Sequence, residues 1–481
     1  MLLKFLFSDI LWALMLAYIS FAAYSFMPSF INSLELNFYD FRTKLISLPQ
    51  QTLPSVIEIP ADNENSSKLS FSETEKLMSL LSVPENAPAL AVFTSQIQIP
   101  NPDANEIAVI KDKYEELKKN NKIKDKNDDL LKLLTKIQNE ENPGQKLYSS
   151  LGKIKYMLPV SFETGIPTGK LKEAPAWMKK FSIKAMNGAA LASARSEASS
   201  YSAQEGLITE KAAGIGHDSV FADQDGRLRF EYPFIVYNNA MYPSLALEAA
   251  RISMGVSNGD IKLEPGKAIM LGDKEIPIMP ESSMPVHFPT ADPQKYTSEN
   301  IIAGNPAPET FKDKIVFIVR SGKKEINTPK GEKPDYFFSI SSMMTMLSDY
   351  FISRPQWAYK AELGMLLAAG LFIMFVSSFP SWLFHSLFIA GLAVFVGGPV
   401  YMFYEQHIWL KPVVPVLCLV SGYLFGITKR FVLMYELKQH KVRYSPNPPP
   451  PPAMKKAANA ASSKDNAAVN EMRNYPAERT K

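Results

Sequence analysis

The stretch HDSVFADQDGRLRFEYPFIV, residues 217–236, holds three aspartates within eight residues, Asp218, Asp223 and Asp225, and the last of them precedes Gly226. Carboxylates at such a spacing have three common uses in proteins. They bind calcium in a loop, they act as a general acid and base, or they stabilise a tight turn. The neighbouring residue types decide among these three.

A calcium loop of the EF-hand type requires carboxylates at its first, third and fifth positions and a glutamate at its twelfth. Counted back from Gly226, the first position is Phe221 and the twelfth is Tyr232, so two essential ligands are missing. A catalytic carboxylate pair is not favoured either, because Asp223 and Asp225 have no histidine or lysine placed as a partner and no phosphate-binding glycine loop nearby. The residue types therefore predict a turn.

Asp225 and Gly226 lie between two segments rich in β-forming residues. An Asp-Gly pair tolerates the positive φ of a two-residue hairpin turn, so we expect a hairpin with its structural turn at these two residues. The five histidines are scattered without the spacing of zinc ligands, and the one cysteine, Cys418, lies in an apolar run. The sequence therefore predicts no catalytic residue, no metal site and no cofactor, and we expect the protein not to be an enzyme.

Four apolar segments are long enough to cross a membrane as helices at about 1.5 Å of rise per residue. The first, 10–27, carries no charge and lacks a small-residue cleavage site, so we expect an anchor that follows a short N-terminus, 1–9, rather than a cleaved signal peptide. The other three lie close together, at 363–379, 383–404 and 412–428. The sequence thus predicts an integral membrane protein with four transmembrane helices.

The charge of the tail predicts the orientation of these helices. Residues 429–481 hold eleven lysines and arginines against four acidic residues, and positive charge next to a membrane span favours the cytoplasmic side. With four crossings the N-terminus is cytoplasmic as well, and residues 28–360 are extracytoplasmic. The tail contains five consecutive prolines at 448–452 and few large apolar residues, so we expect it to be largely disordered.

The region between the first and second spans alternates strand-like runs, such as ALAVFTSQIQI and KIVFIV, with helical patterns such as SLALEAARISMG. This alternation predicts a mixed α/β extracytoplasmic domain. At its start, NSLELNFYDFRTKL places Leu34, Phe38, Phe41 and Leu45 on one face of a predicted helix.

Two segments are predicted to be additions to this domain. Residues 105–142 are heavily charged with apolar positions at helical spacing, which favours an exposed two-helix arm. Residues 185–213 are rich in alanine and serine and short of large apolar side chains, which favours a surface loop.

The pattern D-x-DG-x-x-R formed by Asp223, Asp225, Gly226 and Arg229, followed by YPSLALEAARISMG at 242–255, resembles the central signature of the CHASE domain of type two. Domains of this family are extracytoplasmic sensory domains of bacterial adenylate cyclases, histidine kinases and related signalling proteins. Four further segments are similar to parts of the family in the same order: NFYDFRTKL (37–45), FKDKIVFIVRSG (311–322), INTPKG (326–331) and SISSMMTMLSDYFISRP (339–355).

This resemblance implies a sensory domain at 28–360 and a location in the bacterial inner membrane. Members of the family continue after the fourth span into a cyclase, kinase or similar module, whereas here only the 53 residues of the tail follow. We therefore expect a protein that lacks the usual output domain.

Two functions are compatible with these features. The first is a sensor or receptor subunit that relays to a separate signalling partner, and the second is a non-sensing assembly component of a bacterial envelope complex. A helix continuing from the fourth span would place Phe431, Met434 and Tyr435 on one face, where they are candidates for partner binding. The basic tail is expected to contact membrane lipid rather than nucleic acid, and a homo-oligomer is compatible with the pattern.

Overall fold

The computed structural model describes most of the chain. The predicted first span, 10–27, the charged arm, 105–142, and the tail beyond 443 lie largely outside the described part, as does much of 185–213. The described residues are 15, 18–22, 25–45, 52–62, 66–99, 114–115, 118–119, 144–165, 171–183, 197–204, 206–264, 266–322 and 325–443.

The described residues divide into two compact units, a larger one within 23–365 and 395–413 and a smaller one within 1–22, 366–394 and 414–481. The larger unit is the mixed α/β domain that the sequence predicts. The described strands are β1 (Ser55–Ile59), β2 (Leu90–Phe93), β3 (Tyr156–Thr164), β4 (Ala198–Ala203), β5 (Gly214–His217), β6 (Phe230–Glu231), β7 (Phe234–Tyr237), β8 (Ala240–Pro243), β9 (Ile261–Glu264), β10 (Ala268–Leu271), β11 (Lys274–Pro277), β12 (Met284–Pro285), β13 (Lys295–Thr297), β14 (Ile315–Arg320), β15 (Glu325–Thr328) and β16 (Gly331–Pro334).

Helices precede, separate and follow these strands. Most are short and amphipathic, and the last three are long and apolar. The described α-helices are α1 (Pro28–Leu45), α2 (Phe71–Leu81), α3 (Gly144–Leu151), α4 (Ala176–Lys179), α5 (Leu245–Ser253), α6 (Ser298–Ile302), α7 (Asp335–Leu347), α8 (Ala358–Ser377), α9 (Ser381–Glu405) and α10 (Val413–Arg443).

A seven-stranded sheet forms the centre of the larger unit, with the order β13-β1-β14-β2-β3-β4 and with β5 also paired to β3. All of its pairs are parallel except β3 with β4. The inner strands β1, β2 and β14 read SVIEI, LAVF and IVFIVR, and such largely apolar runs are typical of parallel strands buried on both faces. The remaining described strands form four smaller antiparallel sheets, including the hairpin of β15 with β16.

Helices cover both faces of the sheet. Because side chains alternate along a strand, Val56, Val92 and Phe317 face one layer, which includes α5 and α7. Ile57 and Ile318 face the opposite layer, which includes α2 and α3. The domain is therefore a three-layer α/β/α arrangement with one apolar core on each side of the sheet.

The three C-terminal helices are long and apolar enough to cross a membrane. The qualifying stretches are Ala358–Ser377, Ser381–Glu405 and Val413–Tyr435. They overlap the predicted spans at 363–379, 383–404 and 412–428. Helix α10 continues without a break to Arg443, so its 31 residues extend over about 46 Å at the usual helical rise.

Candidate functional site

A buried arginine joins α1 to the D-x-DG-x-x-R segment. The guanidinium of Arg229, with a side chain that is 0% exposed, donates from Nε to Asp40 Oδ1 over 2.7 Å and from Nη2 to Asp40 Oδ2 over 2.9 Å. It also donates to Asp223 Oδ2 (2.9 Å) and to both carboxylate oxygens of Asp225 (2.8 and 2.6 Å). Its N–H groups thus donate to three carboxylates, and the pairs of bonds to Asp40 and to Asp225 each have the bidentate geometry that suits an arginine.

Arg227 binds the outer side of the same group. Its Nη1 donates to Asp40 Oδ2 over 2.8 Å and to Asn37 Oδ1 over 3.3 Å, and its side chain is 42% exposed. We call Asp40, Asp223, Asp225, Arg227 and Arg229 the carboxylate–arginine cluster. Its three acidic and two basic side chains leave one excess negative charge.

The electrostatics of the cluster favour the charged forms. Burial on its own would lower the pKa of the Arg229 guanidinium, but the hydrogen bonds to Asp225, Asp40 and Asp223 outweigh burial and raise it. The hydrogen bond from Arg229 likewise lowers the pKa of Asp225. These contacts hold α1 to the domain through charge-assisted hydrogen bonds. Among the described residues, no group of three or more His, Cys, Asp and Glu side chains is placed to hold a metal ion.

The turn differs from the predicted hairpin. Gly226 N donates to Asp223 O over 2.9 Å, and Asp223 N donates to Arg227 O over 2.8 Å, so a three-residue loop lies between Asp223 and Arg227. A two-residue type I′ turn needs positive φ at both central residues, whereas of Asp225 and Gly226 only Gly226, at 78°, has it. The flanking strands do not pair with each other, because β6 pairs with β12 and β5 with β3. The two-residue hairpin is therefore wrong, and the turn instead presents its carboxylates to Arg229.

A second polar contact links α1 to the segment between α9 and α10. Buried Arg42 donates from Nη2 to Glu35 Oε1 over 2.9 Å and from Nη1 to the backbone oxygen of Leu410 over 2.8 Å. Glu35 Oε2 in turn accepts a hydrogen bond from the backbone N–H of Val413 over 3.3 Å. Burial raises the pKa of Glu35, and the charge of Arg42 opposes that shift. Helix α1 is thus bonded to the first residue of α10.

Aromatic rings complete this contact. The ring of Tyr39 lies 4.9 Å from that of Trp409, 5.6 Å from that of Phe403 and 5.9 Å from that of Phe230. Trp409 and Phe230 are stacked at 5.7 Å. We use the name α1 junction for the carboxylate–arginine cluster together with the contacts of Glu35, Tyr39 and Arg42. It brings NFYDFRTKL and the D-x-DG-x-x-R segment to one place.

An open cleft of about 650 Å³ adjoins the cluster. We call it the α1 cleft. One wall is α1, with Asn37, Phe41 and Lys44, and the other is the turn between β15 and β16, which belongs to INTPKG. Leu228 N donates to Asn327 O over 2.8 Å and so ties this hairpin to the D-x-DG-x-x-R segment that carries Arg229. Three of the segments that resemble the family therefore meet at the α1 junction and its cleft.

Glu231, the second residue of β6, is buried against α7. Its Oε2 accepts a hydrogen bond from Ser342 Oγ on α7 over 2.9 Å. Burial raises the pKa of this carboxyl group to about 7. The sequence analysis did not identify Glu231, Glu35, Asp40 or Arg42 as site residues. For the last three a signal existed, because they are charged residues among the apolar residues of one predicted helix, α1.

The predicted partner-binding residues lie at the other end of the sequence, on α10. Phe431, Met434 and Tyr435 are all exposed, and so are Val432 and Leu433 between them. A run of five exposed large apolar residues on a helix is uncommon in soluble proteins and marks a membrane or protein contact.

A sequence model described as the CHASE2 domain matches residues 12–378. No curated protein and no solved structure matches the chain.

Proposed function

The chain belongs to the CHASE2 domain family, a family of sensory domains, and on that basis we propose that it is a membrane-anchored sensor subunit that relays to a separate partner protein. Its large domain would lie outside the cytoplasm of a bacterial inner membrane, and both termini would lie inside. The three apolar C-terminal helices and the basic charge after the last of them support this arrangement.

The observation that supports the relay is that α1 forms hydrogen bonds both with the sensory domain and with the start of α10. Asp40 of α1 binds Arg229 of the sensory domain, and Glu35 of the same helix binds the backbone N–H of Val413. Val413 is the first residue of α10, which runs without a break to Arg443. A shift of α1 against the domain would therefore act directly on the start of the helix that ends in the cytoplasm.

The contact with the partner is proposed to be the exposed apolar part of α10. Phe431, Met434 and Tyr435 are spaced to share one face, and aromatic and methionine side chains contribute strongly to interfaces. Just before them, Arg430 donates to the backbone oxygens of Ser377 (3.0 Å) and Phe379 (2.6 Å) at the end of α8. This contact holds the start of the apolar stretch in a fixed orientation within the smaller unit.

Co-precipitation from membranes in mild detergent, with identification of the bound protein, tests this proposal. Replacing Phe431, Met434 and Tyr435 by alanine should release the partner, whereas deletion of residues 445–481 should leave it bound. The matched control is Val432→Ala with Leu433→Ala, which removes exposed apolar side chains from the other sides of the same helix. The control should retain the partner.

The second candidate function is a non-sensing assembly component of an envelope complex. It is favoured by the carboxylate–arginine cluster itself, because a fully bonded buried arginine is also what a fixed structural joint requires. If the alanine variant at Phe431, Met434 and Tyr435 keeps its partner while deletion of the extracytoplasmic domain releases it, the contact lies outside the cytoplasm. That result would refute the relay through α10 and support the assembly function.

A further inference from the structure

A small recess of about 30 Å³, large enough for one small polar group, adjoins the α1 cleft. Lys44, Pro329 and Lys330 line both spaces. The recess reaches inward to Tyr39 of the α1 junction and to His287. A molecule in the cleft could therefore extend a polar end into the recess.

Two buried polar atoms belong to residues that line the recess. Tyr39 is 1% exposed and His287 is 7% exposed, and neither Tyr39 Oη nor His287 Nε2 has a hydrogen-bond partner within the described part of the chain. Buried polar atoms are almost always paired, so two such atoms beside one recess point to a group that binds there. Burial lowers the pKa of His287 to about 4, so its ring is neutral near pH 7 and offers a hydrogen bond rather than a charge.

The α1 cleft is lined by three positively charged side chains. Lys44, Lys330 and Arg227 line it, and among the described residues neither lysine has a carboxylate as an ion-pair partner. Of the two carboxylates in the lining, Asp40 already binds two arginines, and Glu332 lies on the hairpin. Burial and then the nearby charge of Lys333 lower the pKa of Lys330, so an anion placed beside it would be favoured.

We propose that the α1 cleft and its recess bind a small organic anion that also carries a hydroxyl or carbonyl group. Its carboxylate or phosphate group lies among Lys44, Lys330 and Arg227, and its other oxygen forms hydrogen bonds with Tyr39 and His287. The volume of the cleft, about 650 Å³, falls within the usual range of small-molecule sites. The chemistry is shared by free hydroxy acids and by the headgroup of a glycerophospholipid.

This inference deepens the sensor function and depends on it for its biological meaning. An anion in the site would contact α1, the D-x-DG-x-x-R segment through Arg227, and the β15–β16 hairpin at once. Because Tyr39 and Asp40 are adjacent on α1, the occupied site would stabilise one arrangement of the α1 junction. Ligand binding can nevertheless be measured without any partner, so the two proposals can fail separately.

The test uses the full chain in nanodiscs of phosphatidylcholine. Thermal unfolding is followed at constant ionic strength while lactate, 4-hydroxybenzoate or glycerol 3-phosphate is added. At least one of these anions should raise the unfolding temperature in a saturable way. A parallel set of nanodiscs contains phosphatidylglycerol, so that a lipid headgroup and a free anion are distinguished.

The double variant Lys44→Gln with Lys330→Gln should increase the half-saturation concentration by about tenfold or more, because it removes two charge-assisted contacts. The matched control replaces two exposed lysines away from the cleft, Lys146→Gln with Lys312→Gln, and should bind as the wild type does. A further variant, Tyr39→Phe, removes only the hydroxyl group and should weaken binding about fivefold. This variant also keeps the test valid if the double lysine variant does not fold.

A rise seen only with phosphatidylglycerol and lost in the double variant supports the site and identifies a lipid as its source of anion. The inference is overturned if the unfolding temperature shows no saturable rise in either set of nanodiscs. It is also overturned if the double variant and Tyr39→Phe both give the same rise as the wild type. Partner co-precipitation is measured on the same proteins. If the partner binds normally while anion binding is absent in the wild type, only the anion site is refuted, and the sensor function stands on its own test.

Discussion

Replacing Arg229 by methionine should destabilise the sensory domain more than any other single change in the carboxylate–arginine cluster. The side chain is 0% exposed, and its loss leaves the carboxylates of Asp40, Asp223 and Asp225 close together, with exposed fractions of 6, 13 and 19%. Removing one partner of a buried ion pair typically costs about 3–5 kcal/mol. Because Asp223 and Asp225 regain some hydration, we expect the lower end, about 3 kcal/mol, or a fall in the unfolding temperature of about 6 °C or more.

The assay is thermal unfolding of the full chain in detergent, followed by tryptophan fluorescence, because Trp409 stacks on Phe230 inside the α1 junction. The matched control is Arg227→Met, which removes a half-exposed arginine from the same cluster and should cost less than about 1 kcal/mol. If Arg229→Met is no more destabilising than Arg227→Met, the cluster does not hold α1 to the domain and the reasoning is refuted.

The loss of stability in the Arg229→Met variant should also depend on pH. Arg229 lowers the pKa of Asp225 in the folded protein, so the stabilisation from this contact is present above the unfolded pKa of about 4 and is lost as the pH falls through the folded value. The difference between wild type and variant should therefore shrink below about pH 4. A difference that stays constant down to pH 3 would contradict the electrostatic origin of the effect.

Three further predictions concern other parts of the protein. The pKa of Glu231 is raised to about 7 in the folded protein, so the free energy of unfolding should fall between about pH 4.5 and 7 by up to about 3 kcal/mol. Glu231→Gln should remove this loss in unfolding experiments at pH 5 and 8, and an unchanged pH dependence would refute the raised pKa of Glu231. Gly216→Ala would place its Cβ 2.6 Å from the backbone of Leu245, so it should lower the free energy of unfolding by about 2 kcal/mol, and a neutral substitution would disprove this close approach. Alkaline phosphatase fused after Gly206 should be active and after Arg443 inactive, because the enzyme folds only outside the cytoplasm; the reverse pattern would overturn the orientation.

Much of the fold could be predicted from the sequence because its signals are local. The runs LAVF and IVFIVR are continuous and apolar, which is what a parallel strand buried on both faces requires, and they occupy neighbouring strands of the central sheet. The three apolar helices follow from length and composition in the same way. The family resemblance rested on the order of several short segments, and the match over 12–378 confirms it.

The candidate site could not be predicted in full because its contacts are not local. The helical pattern of α1 placed Leu34, Phe38 and Phe41 on one face, yet Leu34 and Phe41 are exposed, and the opposite face buries Asp40 and Arg42. Asp40 is buried because Arg229, 189 residues away in sequence, supplies the matching charge. Arg42 pairs with Glu35 on the same helix, but it also donates to the distant backbone oxygen of Leu410.

The prediction of a turn at Asp225 and Gly226 is confirmed, but its form as a two-residue hairpin is wrong for the same reason. The pair has the local preference for a two-residue hairpin, but a hairpin also requires that the flanking strands pair with each other. Here β6 pairs with β12, and the carboxylates of Asp223 and Asp225 bind Arg229. The tertiary ion pairs fix the loop, and the local turn preference is limited to the positive φ of Gly226.

A change at the α1 junction should be felt at the far end of α10, and maleimide labelling measures this directly. A single cysteine is introduced by Met434→Cys in a Cys418→Ala background, and its labelling rate is compared in nanodiscs with and without Asp40→Asn, which weakens the bond between α1 and Arg229. We predict a change in rate of about fivefold or more, the usual minimum for coupled sites. The control, Asp292→Asn, removes an exposed ion pair with Lys333 and should leave the rate unchanged. Equal rates in the Asp40 variant and in this control would contradict the relay from the sensory domain to the cytoplasm.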